Sequence, residues 1–406
     1  MRLRILVLTF GVFCCATPGL AQDTRDETLK AERQKKAEQL EPYKPGKVEK
    51  WLLRIENDRL LERVFGEGKG GFFPRVGRIT NGGGIGFGPG FRRRGLFGNT
   101  LDFTASAAVS SKRYWVAESI VSLPRLARNH AFADFRVGLA EYPQEDFFGL
   151  GPDSFRPDRV NFLYRETRVG GRVGVRPTPW LTASTRAEWL HPSIGRGTDV
   201  RFQSIEERFT DADAPGLLAQ PDFMHYEGTL DLNYTTPRGN PRRGGRYILS
   251  VNSFEDQDFD RYSFRRYDLD VRQYIPFIQA RRVIALRGYV STSDTDSGND
   301  VPFYLQQTLG GNNTLRGFRD FRFRDRHQLL LQSEYRWEIY PALDAALFYE
   351  AGKVASRRRD LSLNHLESDY GFGFRFGTAE GVMLRIDAAF GSQDGKHYFI
   401  RFSNVF

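Results

Sequence analysis

The residues best equipped for chemistry in this 406-residue chain lie in one short run, Leu309-Gly310-Gly311-Asn312-Asn313-Thr314-Leu315-Arg316-Gly317-Phe318. Its single cation, Arg316, carries a planar guanidinium that can hold carboxylates in forked, charge-assisted contacts that a lysine could not copy. Bond-making chemistry is poorly provided for. The six histidines are scattered, and neither His-Glu-x-x-His nor Gly-x-Ser-x-Gly occurs, so metalloprotease and esterase motifs are missing. The acidic stretch Asp294 to Asp300 lacks the helix-flanked twelve-residue pattern of a calcium loop and reads as a solvated turn. Gly84, Gly86 and Gly88 have no following helix to receive a dinucleotide phosphate, and Gly66 to Gly70 lacks the Ser or Thr of a phosphate loop. The chain therefore reads as a non-enzyme, without cofactor or metal.

An arginine on a loop acts only on what the neighbouring elements present to it. Downstream, the dominant signal is alternation with period two, which sends successive side chains to opposite faces of a sheet. Between Leu329 and Ile339 the odd positions are Leu329, Leu331, Ser333, Tyr335, Trp337 and Ile339, and the even ones Leu330, Gln332, Glu334, Arg336 and Glu338. One face suits lipid and the other water. Tyr226 to Tyr234, Tyr370 to Phe376 and Val382 to Phe390 divide in the same way. Glu350 shares its face with Asp344, opposite Leu343, Leu347 and Tyr349. A basic charge on a lipid face costs about 2–4 kcal/mol at the midplane, an acidic one less, so Glu334 and Glu350 should both turn to the lumen.

About sixteen such segments lie between 71 and 405, the even number and alternating polarity expected of an antiparallel outer-membrane β-barrel. Short turns marked by Pro124, Pro177, Pro179, Pro276 and Pro341 alternate with longer polar loops at 142–159, 191–222, 294–326 and 355–366. A soluble sandwich would turn its apolar faces inward and use shorter strands. The last strand, His397 to Phe406, sets Tyr398, Ile400, Phe402 and Phe406 on one face. Pro74 in the first strand cannot donate a ladder hydrogen bond, and Gly82, Gly83, Gly84, Gly86, Gly88 and Gly90 either weaken the second strand or relieve crowding where the barrel closes.

The beginning of the chain fits export. Residues 1–21 hold Arg2 and Arg4, an apolar core and small residues at Gly19 and Ala21, the pattern of a secretory signal peptide too short to span a membrane. Both cysteines, Cys14 and Cys15, fall inside it, which leaves the mature chain without thiols. The formal charge of +9 becomes +7 once Arg2 and Arg4 are removed. Export argues against nucleic acid as the partner of that charge and leaves lipid phosphates, an anionic cargo or the wall of a water-filled pore. Residues 22–70 form a charged periplasmic leader, within which Val48, Trp51, Leu52, Ile55, Leu60, Leu61, Val64 and Phe65 predict an amphipathic helix over 47–65. The transmembrane barrel is assigned to 71–406.

With its Gly-Gly followed by Leu315-Arg316-Gly317-Phe318, the loop resembles that of the BamA/TamA superfamily of outer-membrane assembly and translocation barrels, the bacterial surface antigens. The resemblance covers residues 71–406 and is sharpest over the loop and the last five strands. It implies that the loop folds into the lumen and that Arg316 pairs with acids on the next two strands, here Glu334 and Glu350. At the second place the family more often has Asp-x-Gly, so Glu350 is a departure expected to lengthen or loosen the contact. The terminal strand resembles the signal by which the barrel-assembly machinery inserts its substrates. The family usually carries periplasmic POTRA domains, and the short helical leader here implies a branch without them. The resemblance further implies outer-membrane lipids as surroundings and protein or lipid clients handled at a labile seam. The alternative is a passive pore or structural barrel with an anion-selective wall of Arg165, Arg172, Arg186, Arg272, Arg287, Arg375 and Arg401.

Overall fold

Segments with one apolar and one polar face, placed in lipid, must pair edge to edge until their backbone groups are satisfied, because hydrocarbon offers no partner. The structure, a computed structural model, describes residues 70–401 apart from 279, 341 and 378–380, together with residue 30. The signal segment, the leader with its 47–65 helix, and Phe402 and Phe406 lie outside the described residues. All described strands belong to one unit, Trp51–Phe406.

The first half contributes β1 (Gly71–Arg78), β2 (Ile85–Gly95), β3 (Leu101–Ser110), β4 (Trp115–Leu126), β5 (Ala131–Phe147), β6 (Val160–Thr178), β7 (Leu181–Arg196) and β8 (Phe223–Asn233). The second contributes β9 (Gly244–Asp256), β10 (Phe264–Phe277), β11 (Arg282–Thr295), β14 (His327–Tyr340), β15 (Leu343–Ala355), β16 (Glu367–Gly377), β17 (Val382–Ser392) and β18 (Gly395–Arg401). These sixteen form one sheet in chain order, each antiparallel to the next. The short pair β12 (Gln307–Leu309) and β13 (Phe323–Asp325) stands apart, inside the long connection from β11 to β14. No described helix is long and apolar enough to cross a membrane.

Side chains sort by parity. Leu331, Leu347, Tyr349, Phe372, Phe374, Ile386, Tyr398 and Ile400 are exposed on the outside, whereas Gln332, Glu334, Arg336, Asp344, Glu350, Arg375 and Asp387 are buried within. Arg165 is a correction. On β6 the inward residues are even-numbered, including Tyr164 and Arg168, so Arg165 points outward and meets Glu141, its cross-strand neighbour, at 2.6 Å. β5 and β6 run 17 and 19 residues, well beyond the 9–11 that cross a bilayer, so an outward charge pair can stand clear of lipid. β5 also outruns its expected end near 141 because a bulge between Tyr142 and Glu145 interrupts the alternation.

The outer end is filled rather than open. Phe147, Phe162, Ile205, Leu217 and Phe303 form one buried cluster, and Leu190, Phe223, Phe254, Tyr262 and Val301 another. Both join loop residues from 197–222 and 296–306 to the upper ends of strands. At the other extreme of the sheet, Pro74 and Pro89 face each other across β1 and β2. The β2–β3 ladder passes from Phe87↔Val109 to Gly90↔Ser106 without pairing Gly88 or Pro89. Among the described residues no ladder joins β1 to β18.

Candidate functional site

Between β12 and β13 the chain makes a tight, self-bonded turn. The Gly311 N–H donates to the carbonyls of Leu315 and Phe318 at 3.1 and 3.0 Å, and the Phe318 N–H donates to Leu315 at 3.1 Å. Gly310 sits at φ 110°, and a Cβ there would lie 2.1 Å from the Arg319 carbonyl oxygen, so only glycine fits. Gly317 is required for a different reason, since its Cβ would lie 2.5 Å from that of Asp369 on the barrel wall. Leu315 and Phe318 bury against Leu309, Phe323, Leu330 and Val354. Leu330 and Val354 are apolar residues on inner faces that also carry Gln332, Glu334 and Glu350, and the turn is what they pack against.

This packing delivers Arg316 to the wall. Its backbone N–H donates to Glu350 Oε2 at 2.8 Å and its Nε to Glu350 Oε1 at 3.0 Å. Nη1 reaches Glu334 Oε2 at 3.4 Å and Asp387 Oδ2 at 3.3 Å. The guanidinium carbon lies 3.3 Å from the centre of the Phe348 ring. Arg316, Glu334, Glu350 and Asp387 side chains have no solvent exposure. Burial opposes the charge on Arg316, but Glu350, Asp387 and Glu334 outweigh it and raise its pKa above the ordinary arginine value.

The structure thus brings Arg316 together with both sequence-nominated acids. Glu350 does not loosen the contact as expected; it makes the shortest bonds of the three acids, because its extra methylene reaches both the backbone N–H and Nε. Asp387 lies on the inner face of β17, and its link to Arg316, like that of the surrounding cations, is not written in the alternation of the sequence. Glu334 also receives Arg336 Nε at 2.8 Å and Arg375 Nε at 3.1 Å, and Asp387 receives Arg375 Nη1 at 2.6 Å and forms an ion pair with Arg385, whose Nε lies 2.9 Å away. The inward parity of Arg375, Arg385 and Asp387 carried the signal, but which strands surround the loop is a property of closure.

The rest of the loop is tied to the outer end. Arg322 donates to the Ser154 carbonyl and hydroxyl at 2.7 and 2.8 Å, and the Gly151 N–H donates to the Arg324 carbonyl at 2.9 Å. Arg324 is buried, with Nη1 2.7 Å from the Phe303 carbonyl and the Phe147, Phe162 and Phe303 rings about it. Burial lowers its pKa to about 10, which leaves it protonated at neutral pH. Of the nominated terminal-strand residues, Tyr398 and Ile400 are exposed on the same outer face.

Residues 164–403, more than half of the chain, match the Omp85 superfamily domain. The chain belongs to the Omp85 superfamily. The matched span contains the Arg316 turn and all three of its carboxylates, whereas β1 to β5 precede it. The fold is similar to that of BamA from Haemophilus ducreyi lacking POTRA domains 1–3, with a TM-score of 0.61 at 12% identity over 82% of this chain and 70% of that one. It is also similar to CdiB from Escherichia coli, with a TM-score of 0.52 at 13% identity over 80% and 60% of the two chains. This Omp85 protein is a bacterial outer-membrane β-barrel.

Proposed function

We propose that this Omp85 barrel assists the insertion or translocation of protein or lipid at the outer membrane, with the Arg316 turn as a plug fixed inside the lumen. The observation that carries the reading is the fully buried contact of Arg316 with Glu334, Glu350 and Asp387. A barrel that exchanges clients at its edge needs a wall that holds its shape while the edge works, and a loop anchored to three strands of that wall supplies it. The edge itself supports the reading, since the Pro74–Pro89 pair and the gap at Gly88 and Pro89 leave β1 and β2 short of ladder bonds. The outer-membrane lipids around the barrel and, for its own insertion, the barrel-assembly machinery are the further partners proposed.

The pore reading draws on inward arginines, and most of these are already engaged by carboxylates. Arg186 lies 3.5 Å from Glu227, Arg272 and Arg287 lie 2.7 and 2.8 Å from Asp270, and Arg375 is held by Glu334 and Asp387. The packed outer clusters also oppose steady conduction. The deciding experiment places the full chain in liposomes and follows folding of a second outer-membrane barrel. Faster folding, with only brief and irregular conductance, is expected. Large, steady, anion-selective conductance with no effect on client folding would overturn the assignment.

A further inference from the structure

At the end of the barrel that bears the short turns, periplasmic by the usual asymmetry, the lumen opens into a polar cavity of about 490 Å³. Its size lies in the ~300–1,000 Å³ range of small-molecule sites. Five arginines and three aspartates line it. Asp231 is already engaged by Arg246 at 2.7 Å and Asp102 by Arg125 at 3.5 Å. Arg172 and Arg176 differ from the paired arginines higher in the lumen. Among the described residues Arg172 donates only to the Ser184 hydroxyl, at 3.0 and 3.1 Å, and Arg176 to the Pro124 carbonyl at 3.2 Å. Among the described residues no carboxylate comes within 4.0 Å of either, although Asp134 stands opposite Arg172 in the ladder.

The two are held as a set. They lie four residues apart on β6, hence on one face, and both guanidinium carbons approach the same buried ring, Phe132, at 5.2 and 4.4 Å from its centre. Gly174 stands between them, and a Cβ there would lie 2.4 Å from Phe132 Cζ, so the ring fills the space over the strand between the arginines. Arg92, which also lines the cavity, likewise has no carboxylate within 4.0 Å among the described residues.

We infer that this vestibule binds a phosphate-bearing anion, with Arg172 and Arg176 as its principal donors and Phe132 holding them in place. A phosphate monoester carries about −1.5 to −2 at neutral pH and presents several strong acceptor oxygens, which matches two unneutralised forks better than a single carboxylate does. The assignment is independent of the assembly reading, since it rests on a different end of the lumen.

The test is arginine footprinting of the folded full chain with phenylglyoxal, read by peptide mass. In nonionic detergent, inorganic pyrophosphate is expected to slow modification of Arg172 and Arg176 at least fivefold and saturably, while Arg165 on the outer face is unaffected; this outcome identifies a soluble anion. Protection seen only in nanodiscs containing phosphatidic acid, and not in those of phosphatidylcholine alone, identifies a lipid headgroup. Protection in neither setting overturns the site. A second measurement is calorimetric titration with pyrophosphate, in which R172Q/R176Q should bind at least tenfold more weakly. Equal affinity in that variant, with heat-modifiable migration retained, likewise overturns it.

Discussion

Removing the Arg316 guanidinium should strand one carboxylate in particular. In Arg316→Ala, Glu334 keeps Arg336 and Arg375, and Asp387 keeps Arg375 and Arg385. Glu350 loses its one cation among the described residues, keeps the backbone N–H of residue 316 at 2.8 Å and Gln332 Nε2 at 2.5 Å, and faces Asp369 directly across the β15–β16 ladder. One buried, uncompensated charge costs about 3–5 kcal/mol. With an m-value near 3 kcal/mol/M, the upper end of the usual range in urea, that is a fall of about 1–2 M in the unfolding midpoint. The assay is urea unfolding of the refolded barrel, read by tryptophan fluorescence and by heat-modifiable migration. Because the cost resides in Glu350, the double variant Arg316→Ala with Glu350→Gln should recover about half of the loss or more. A double variant no more stable than Arg316→Ala alone would refute the reasoning, since the penalty would then come from lost packing on Phe348 rather than from an orphaned charge.

Three further outcomes are expected. Arg316→Lys, which keeps the charge but not the fork, should lose about 1.5–3 kcal/mol by the same unfolding assay, as for hydrogen bonds to charged groups. Leu330→Ala should cost about 2–5 kcal/mol, the range for buried large-to-small changes, and should leave the 310–318 turn open to limited proteolysis if that inner-face leucine anchors it. Gly317→Ala places a methyl against Asp369 and should destabilise by about 1–3 kcal/mol, with slower refolding from urea as the accompanying readout.

The barrel was legible because lipid outside and water inside impose a two-residue period that no folded core would blur. Leu329 to Ile339 shows it plainly, and most strand ends fall within a few residues of their turn signals. The misreadings have local causes. The bulge after Tyr142 hides the extension of β5, and Arg165, a lumen candidate in the pore alternative, has a parity on β6 that places it outside. Glu334 and Glu350 could be sent inward by parity alone. That Asp387, seventy-one residues along the chain from Arg316, completes the cluster depends on the tilt and curvature of four strands, which no local pattern encodes.

The long sequence separations around Arg316 have a consequence for how the protein is made. Its acceptors come from β14, β15 and β17, with β16 supplying Arg375 between them, so the turn emerges before any surface to which it can dock. Loop-closure entropy must be met first by pairing the hairpins that follow. Docking of the turn is therefore a late event, a test that four strands have aligned in register, and a chain cut short of residue 387 would reach the membrane with its latch unfastened.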